Sequence, residues 1–109
     1  MKAKFEARSL ETEELKGKVD IKWFGHASFK ISFNDAENEQ RNIYIDYWHD
    51  NKDCPEEAKT NPPNDADLVL VTHGQLDHSA HAPLLISAGK KQNRKIVATS
   101  EVGTYFELF

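Results

Sequence analysis

Cys54 is the only cysteine, so no intrachain disulfide can form; in the charged stretch 51–59 it reads as an incidental reduced thiol that suits a cytosolic setting. No apolar run approaches the roughly 20 residues of a membrane span, and the first turns of sequence are too charged for a signal-peptide core. A positive excess is also missing. The 14 Lys and Arg stand against 18 Asp and Glu, a formal net charge of −4. The one dense basic run, Lys90-Lys91-Gln92-Asn93-Arg94-Lys95, reads as a solvated helix end and turn rather than a phosphate patch. Internal repeats and low-complexity tracts are absent too. These absences set aside nucleic acid and membranes as partners and leave a soluble, cytoplasmic protein as the expectation. With 109 residues, 39% of them apolar, the chain suits one small globular domain, so a site built from two lobes would be only partly contained.

What is present is patterned. Residues 1–18 are charged, with Ser9 and Thr12 ahead of Glu13, Glu14 and Leu15, enough for a short capped helical turn. They read as an N-terminal arm to a domain spanning 19–109. From Val19 onward Val19, Ile21 and Trp23, then Phe29, Ile31 and Phe33, alternate with Asp20, Lys22, Lys30 and Ser32, the period of two expected of half-buried strands. Gly25 and His26 fall at the bend between them. A polar hairpin loop, 34–42, leads into a third strand, Ile43-Tyr44-Ile45-Asp46-Tyr47-Trp48, and 51–65, with Pro55, Pro62 and Pro63, reads as a surface connection. Ala66 to Thr72 is an almost continuously apolar strand of the kind covered on both faces. A His-rich loop follows, then a helix from about Ser79 to Gln92, a strand Lys95 to Thr99 and a helical start at Ser100 to Phe109. Trp23, Phe24, Phe29 and Trp48 read as core packing. The order β-β-β-β-α-β-α predicts an α/β protein whose mixed sheet begins antiparallel and continues through helical crossovers. The last helix carries Phe106 and Phe109 and no closing Gly, Asn or Pro, so the expectation is a domain that continues or is completed by a second chain.

The chemistry concentrates in Thr72-His73-Gly74-Gln75-Leu76-Asp77-His78-Ser79-Ala80-His81, directly behind the apolar run Leu68-Val69-Leu70-Val71. Imidazole nitrogens and a carboxylate are what a borderline cation such as zinc prefers, and a loop leaving a buried strand can turn several side chains toward one point. Gln75 is the odd member, since a third nitrogen donor would be most useful there. By spacing alone Asp77 fits a helix cap as well as a ligand, and the two roles can coexist. His81 reads as a helix-surface residue and His49 as structural, while His26 divides evenly between a pocket residue and a turn histidine bonded to backbone.

The segment 72–78 resembles the His-x-His-x-Asp-His motif of the metallo-β-lactamase superfamily, with Gln75 in place of the second histidine. Ile43-Tyr44-Ile45-Asp46 is similar to that superfamily's strand ending in an aspartate, and 66–71 to the strand that delivers the motif. Gly25-His26-Ala27-Ser28-Phe29 is similar to the UlaG-like branch of metal-dependent hydrolases, which includes an ascorbate-phosphate lactonase and an N-acyl phosphatidylethanolamine phospholipase D. The likeness covers about Asp20 to Phe109. It implies half of an αββα sandwich, with the later motifs of the family, two histidines and a bridging aspartate, having no counterpart here.

The resemblance further implies hydrolysis of a small ester, lactone or phosphoester by water activated on one or two zinc ions, with manganese or iron(II) as substitutes. It assigns His73 and position 75 to one metal, Asp77 and His78 to the other, Asp77 also to the nucleophilic water, and Asp46 to fixing the loop. His26 would stand at the pocket rim. Gln75 offers only a neutral amide oxygen and shifts preference away from zinc. The 109-residue chain alone is expected to be inactive, with a complementary C-terminal half or a homo-oligomer as partner beside a small-molecule substrate. The competing expectation is a non-catalytic remnant or interaction domain that keeps the fold.

Overall fold

The computed structural model describes residues 15–107, so the readings made for 1–14 and for Leu108 and Phe109 lie outside the described residues. Five strands, Val19–Trp23 (β1), Phe29–Asn34 (β2), Gln40–Ile45 (β3), Leu68–Leu70 (β4) and Lys95–Val97 (β5), form one sheet in the order β1-β2-β3-β4-β5. The first three pair antiparallel, and β3, β4 and β5 run parallel. This is the expected mixed α/β sheet. Three short helices, Glu56–Thr60 (α1), Leu76–Ser79 (α2) and Ala82–Ala88 (α3), lie between the parallel strands, and Ser100–Glu107 (α4) follows β5. No helix among the described residues is long and apolar enough to cross a membrane.

The helix expected from Ser79 to Gln92 is shorter, Ala82–Ala88, and a separate helical turn, Leu76–Ser79, lies in the stretch expected as loop. His81, at φ −101° and ψ 3°, separates the two, and Pro83 lies in the first turn of α3, where a missing N–H costs nothing. The basic run after α3 is a turn. Arg94 Nε donates to the carbonyl of Ile86 at 2.7 Å and Lys91 Nζ to that of Gln40 at 2.8 Å, so two of its charges serve backbone oxygens, one of them at the helix end.

The two faces of the sheet are covered unequally. On one face Lys30, Ser32, Asn42, Tyr44 and Val69 are buried beneath the helices and the 51–65 connection. On the other, the register aligns Val19, Ile21 and Trp23 with Phe33, Ile31 and Phe29, then Ile43 and Ile45, then Leu68 and Leu70, then Val97. This apolar row stays open, with Val19 63% and Ile21 64% exposed. Trp23 and Phe29, expected in the core, sit on this open face, and β4 is covered on one side rather than two. The alternation was read correctly as two faces, but the covered one is the face carrying Lys30 and Ser32.

The polar groups on that covered face are paired. Lys30 Nζ lies 2.8 Å from Asp65 Oδ2, the Tyr44 hydroxyl donates to Asp65 Oδ1 at 2.6 Å, and the Ser32 hydroxyl donates to Asn42 Oδ1 at 2.8 Å. Burial raises the Asp65 carboxyl and the adjacent Lys30 charge more than reverses it, leaving it below the usual carboxylate value. Phe24, Tyr44 and Tyr47 meet in tilted and edge-on contacts at 5.5–5.9 Å and pack with Cys54, Ala58, Val69 and Leu85 into the core. Cys54 is therefore a core residue rather than part of a surface loop, and burial raises its thiol pKa, which makes it inert. Leu15 is fully buried, so the described part of the chain begins at a packed residue.

Asp65→Ala leaves the Lys30 ammonium buried without its partner. Because Asp65 keeps part of its side chain in water, the expected loss is about 2 kcal/mol rather than the larger value of an enclosed pair. Urea denaturation of the two proteins checks it, and Lys30→Met on the Asp65→Ala background should recover part of the loss.

Candidate metal centre

The carboxyl ends of β3 and β4 and the turn between β1 and β2 lie at one edge of the sheet, where parallel strands deliver their loops. Asp46 closes β3 in the left-handed region, at φ 47°, a conformation that aspartate tolerates better than most residues. It is 4% exposed and its oxygens are fully used. Oδ1 accepts the Thr72 amide at 2.8 Å, while Oδ2 accepts the Thr72 hydroxyl at 2.6 Å and His78 Nδ1–H at 2.9 Å. Burial pushes the Asp46 carboxyl up, and the two Thr72 donors with His78 outweigh it, so its pKa lies below the ordinary value.

The donor logic fixes the rings. A carboxylate can only accept, so the single Thr72 hydroxyl proton goes to Asp46, and His73 Nδ1, 2.8 Å from that hydroxyl, must donate to it. His73 Nε2, the other ring nitrogen, lies 2.9 Å from Gln75 Oε1. His78 donates through Nδ1 to Asp46, which leaves Nε2, 3.8 Å from Asp77 Oδ2, as its outward nitrogen. Metal-ligating histidines are commonly held in this way, with the other ring nitrogen on a carboxylate.

His26 arrives from the β1–β2 turn. Gly25 and His26 both have positive φ, 89° and 50°, and a Cβ at Gly25 would collide with the Asn51 amide, so only glycine fits. The Trp23 indole donates to the His26 carbonyl at 2.9 Å, and the Ser28 hydroxyl donates to the Asp46 carbonyl at 2.8 Å, tying this turn to the end of β3. His26 Nε2 lies 2.9 Å from Asp77 Oδ2, and its ring meets Trp48 edge-on at 5.3 Å. With side chains 38% and 39% exposed, His26 and Asp77 face solvent.

Among the described residues, potential ligand atoms come within 4.8 Å of one another in three groups: His26, Asp77 and His78; Asp46, His73 and His78; and His49, Asp50 and His81. The second is a product of proximity, since both Asp46 oxygens are occupied by hydrogen bonds. In the third, the His49 and His81 rings lie 4.0 Å apart, and His81 Nδ1 accepts the His49 amide at 3.1 Å, which leaves the proton on Nε2 and closes that nitrogen to a metal. Burial, then the neighbouring His49, lower the His81 pKa. His81 thus joins His49 and Asp50 and not the first group. Asp77 lies in the first turn of α2, whose N-cap is Gln75, so the cap role open to it by spacing is not the one it has. Thr72, which links Asp46 to His73, was not singled out from the sequence, although it stands beside the motif.

An α/β sheet with histidines and a carboxylate gathered at the ends of its strands offers donors that could hold a metal ion. The family model described as a beta-lactamase superfamily domain matches residues 20–105, and the chain belongs to that superfamily. A UPF0173 metal-dependent hydrolase of Rubrobacter xylanophilus is 35% identical over 96 residues, covering 87% of this chain and 36% of the relative. One from Koribacter versatilis is 33% identical over 90 residues, covering 82% of this chain and 35% of the relative. A crystal structure from Parabacteroides distasonis, described as a metal-dependent hydrolase, superposes with a TM-score of 0.61 at 24% identity over 95% of this chain and 41% of its own, a likeness of fold. The chain spans about a third of the length of these curated relatives.

Asp46→Asn removes the acceptor shared by Thr72 and His78, and the expected cost is about 2–4 kcal/mol in chemical denaturation. A carboxyl whose folded pKa is lowered stabilises above its unfolded value, near 3.8, and that contribution is lost as pH falls through the folded value. Thermal melts between about pH 6 and pH 2 should therefore show a shallower acid decline for Asp46→Asn than for the wild type.

Proposed function

We propose that this chain is the metal-binding portion of a hydrolase acting on a small ester, lactone or phosphoester, with zinc as the resident ion and manganese or iron(II) as substitutes. The observation that supports it best is the donor set: imidazole nitrogens beside a carboxylate, with His78 held from behind by Asp46. That chemistry fits a divalent ion. Asp77 and His78 hold the ion, while His73 and Gln75 form the other half of the motif. A bound ion supplies a lowered pKa for its water and polarisation of the bond under attack. The chain's residues do the rest. Asp77 takes the proton of the attacking water, His26 stands against Asp77 at the pocket rim, and Asp46 fixes the loop that carries them.

The open apolar face belongs to the same reading. A row from Val19 to Val97 facing water is far larger than a lone surface side chain requires, and it fits a second β-layer, supplied by a complementary C-terminal half or by a second copy. On this reading residues 19–109 are half of a domain that works in the cytoplasm. The same face favours a second reading, an interaction domain without catalysis, and metal content separates the two. Full-length product purified without chelator should carry zinc, manganese or iron at a stoichiometric level by elemental analysis, and its chromogenic ester or phosphodiester hydrolysis should stop on chelation and return with the metal. Asp77→Asn should lower that rate by about 10²-fold or more. Absence of bound metal would leave the interaction domain standing.

A further inference from the structure

The geometry points to which donors this chain offers. In His26, Asp77 and His78 a ligand atom from each lies within 4.8 Å of the other two. His26 to Asp77 is 2.9 Å and Asp77 to His78 is 3.8 Å. Bonds of about 2.0–2.1 Å at tetrahedral angles place neighbouring donors about 3.3 Å apart, so these separations straddle the spacing a zinc ion imposes. Two imidazoles and a carboxylate with a side open to solvent are a catalytic zinc set.

His73 is engaged elsewhere. Its Nδ1 is on the Thr72 hydroxyl, and its Nε2, the atom a metal would need, is engaged by Gln75 Oε1 at 2.9 Å. The residue that replaces a histidine ligand thus also occupies the neighbouring one. The β1–β2 turn, by contrast, places His26 against Asp77 through successive left-handed residues, an indole hydrogen bond to its carbonyl and an edge-on Trp48 contact. Backbone strain of that kind persists where the surroundings over-determine it.

We propose that the metal position of this chain is a single-ion site formed by His26, Asp77 and His78, with His26 a direct ligand and His73 held off by Gln75. This rests on the metal-dependent reading above. Ligation needs a bare Nε2 on His26, so the proton now shared with Asp77 passes to Nδ1, the lone pair of Nε2 goes to the ion, and the Asp77 oxygen exchanges that proton for the same ion.

The test is zinc titration of the ¹⁵N-labelled full chain followed by long-range ¹H–¹⁵N correlation of the imidazoles. At one zinc per chain, Nε2 of His26 and of His78 should move to the zinc-bound position while His73 keeps its proton on Nδ1. A role for His26 in positioning Asp77 alone would leave its Nε2 protonated, and that result overturns the proposal, as does movement of His73 Nε2 in its place. His26→Asn, which tolerates the left-handed backbone, should weaken zinc binding by about tenfold or more, since even a residue behind a ligand is worth that much. His73→Gln should leave zinc affinity at the wild-type value. Zinc uptake that depends on His73 sinks this site and spares the hydrolase, whereas no uptake by the wild type sinks both.

Discussion

The site depends on one carboxylate. Asp46 sits at the end of β3 in a left-handed conformation, almost without water, and takes three donors from the loop that follows β4. Its own amide donates to the Leu70 carbonyl at 2.9 Å, which extends the parallel pairing of β3 and β4 by one more residue. The loop is therefore locked to the sheet at the point where its chemistry begins. A buried carboxylate with so many donors stays ionised and can only accept. Through Thr72 it sets the tautomer of His73, and directly it sets that of His78. One side chain thus specifies which nitrogen of each ring can meet a metal.

The sheet explains why these loops share an edge and also why the molecule has an unusual surface. Its covered face buries a paired Lys30 and a chain of polar contacts through Ser32 and Asn42, each satisfied at hydrogen-bond distance. Such groups tolerate burial only with partners. The face with the stronger hydrophobic character is the one left open, an arrangement that becomes favourable when another layer packs on it. The candidate site lies at the strand ends, where Trp23 of the open face donates its indole N–H to the His26 carbonyl.

Much of this was legible in the sequence because it is carried by residue type and short spacing. His73, Asp77 and His78 follow an apolar strand and Asp46 ends another, so the resemblance to a metal-site motif could name the loop and its aspartate beforehand. The alternation of Val19, Ile21 and Trp23 with Asp20 and Lys22 correctly gave two faces. A period of two says which residues share a face and is silent on what covers it, so Trp23 and Phe29 were placed inside while Lys30 and Ser32 were placed out. The break at His81 and Pro83 was visible as a proline but weighed too little against the helical pattern around it. Contacts between distant segments left no local trace: His26 with Asp77, 51 residues apart, and His49 with His81 had to be seen in the fold.

If Asp46 arranges the loop so that His26, Asp77 and His78 converge, the ion they would share has one place to be. The most direct measurement is anomalous scattering at the zinc edge from crystals of the zinc-loaded protein. One peak within bonding distance of His26 Nε2, Asp77 Oδ2 and His78 Nε2, with Asp46 still on His78 Nδ1, is the expected result. A peak on His73 and Gln75, or one bonded to Asp46 itself, would contradict it.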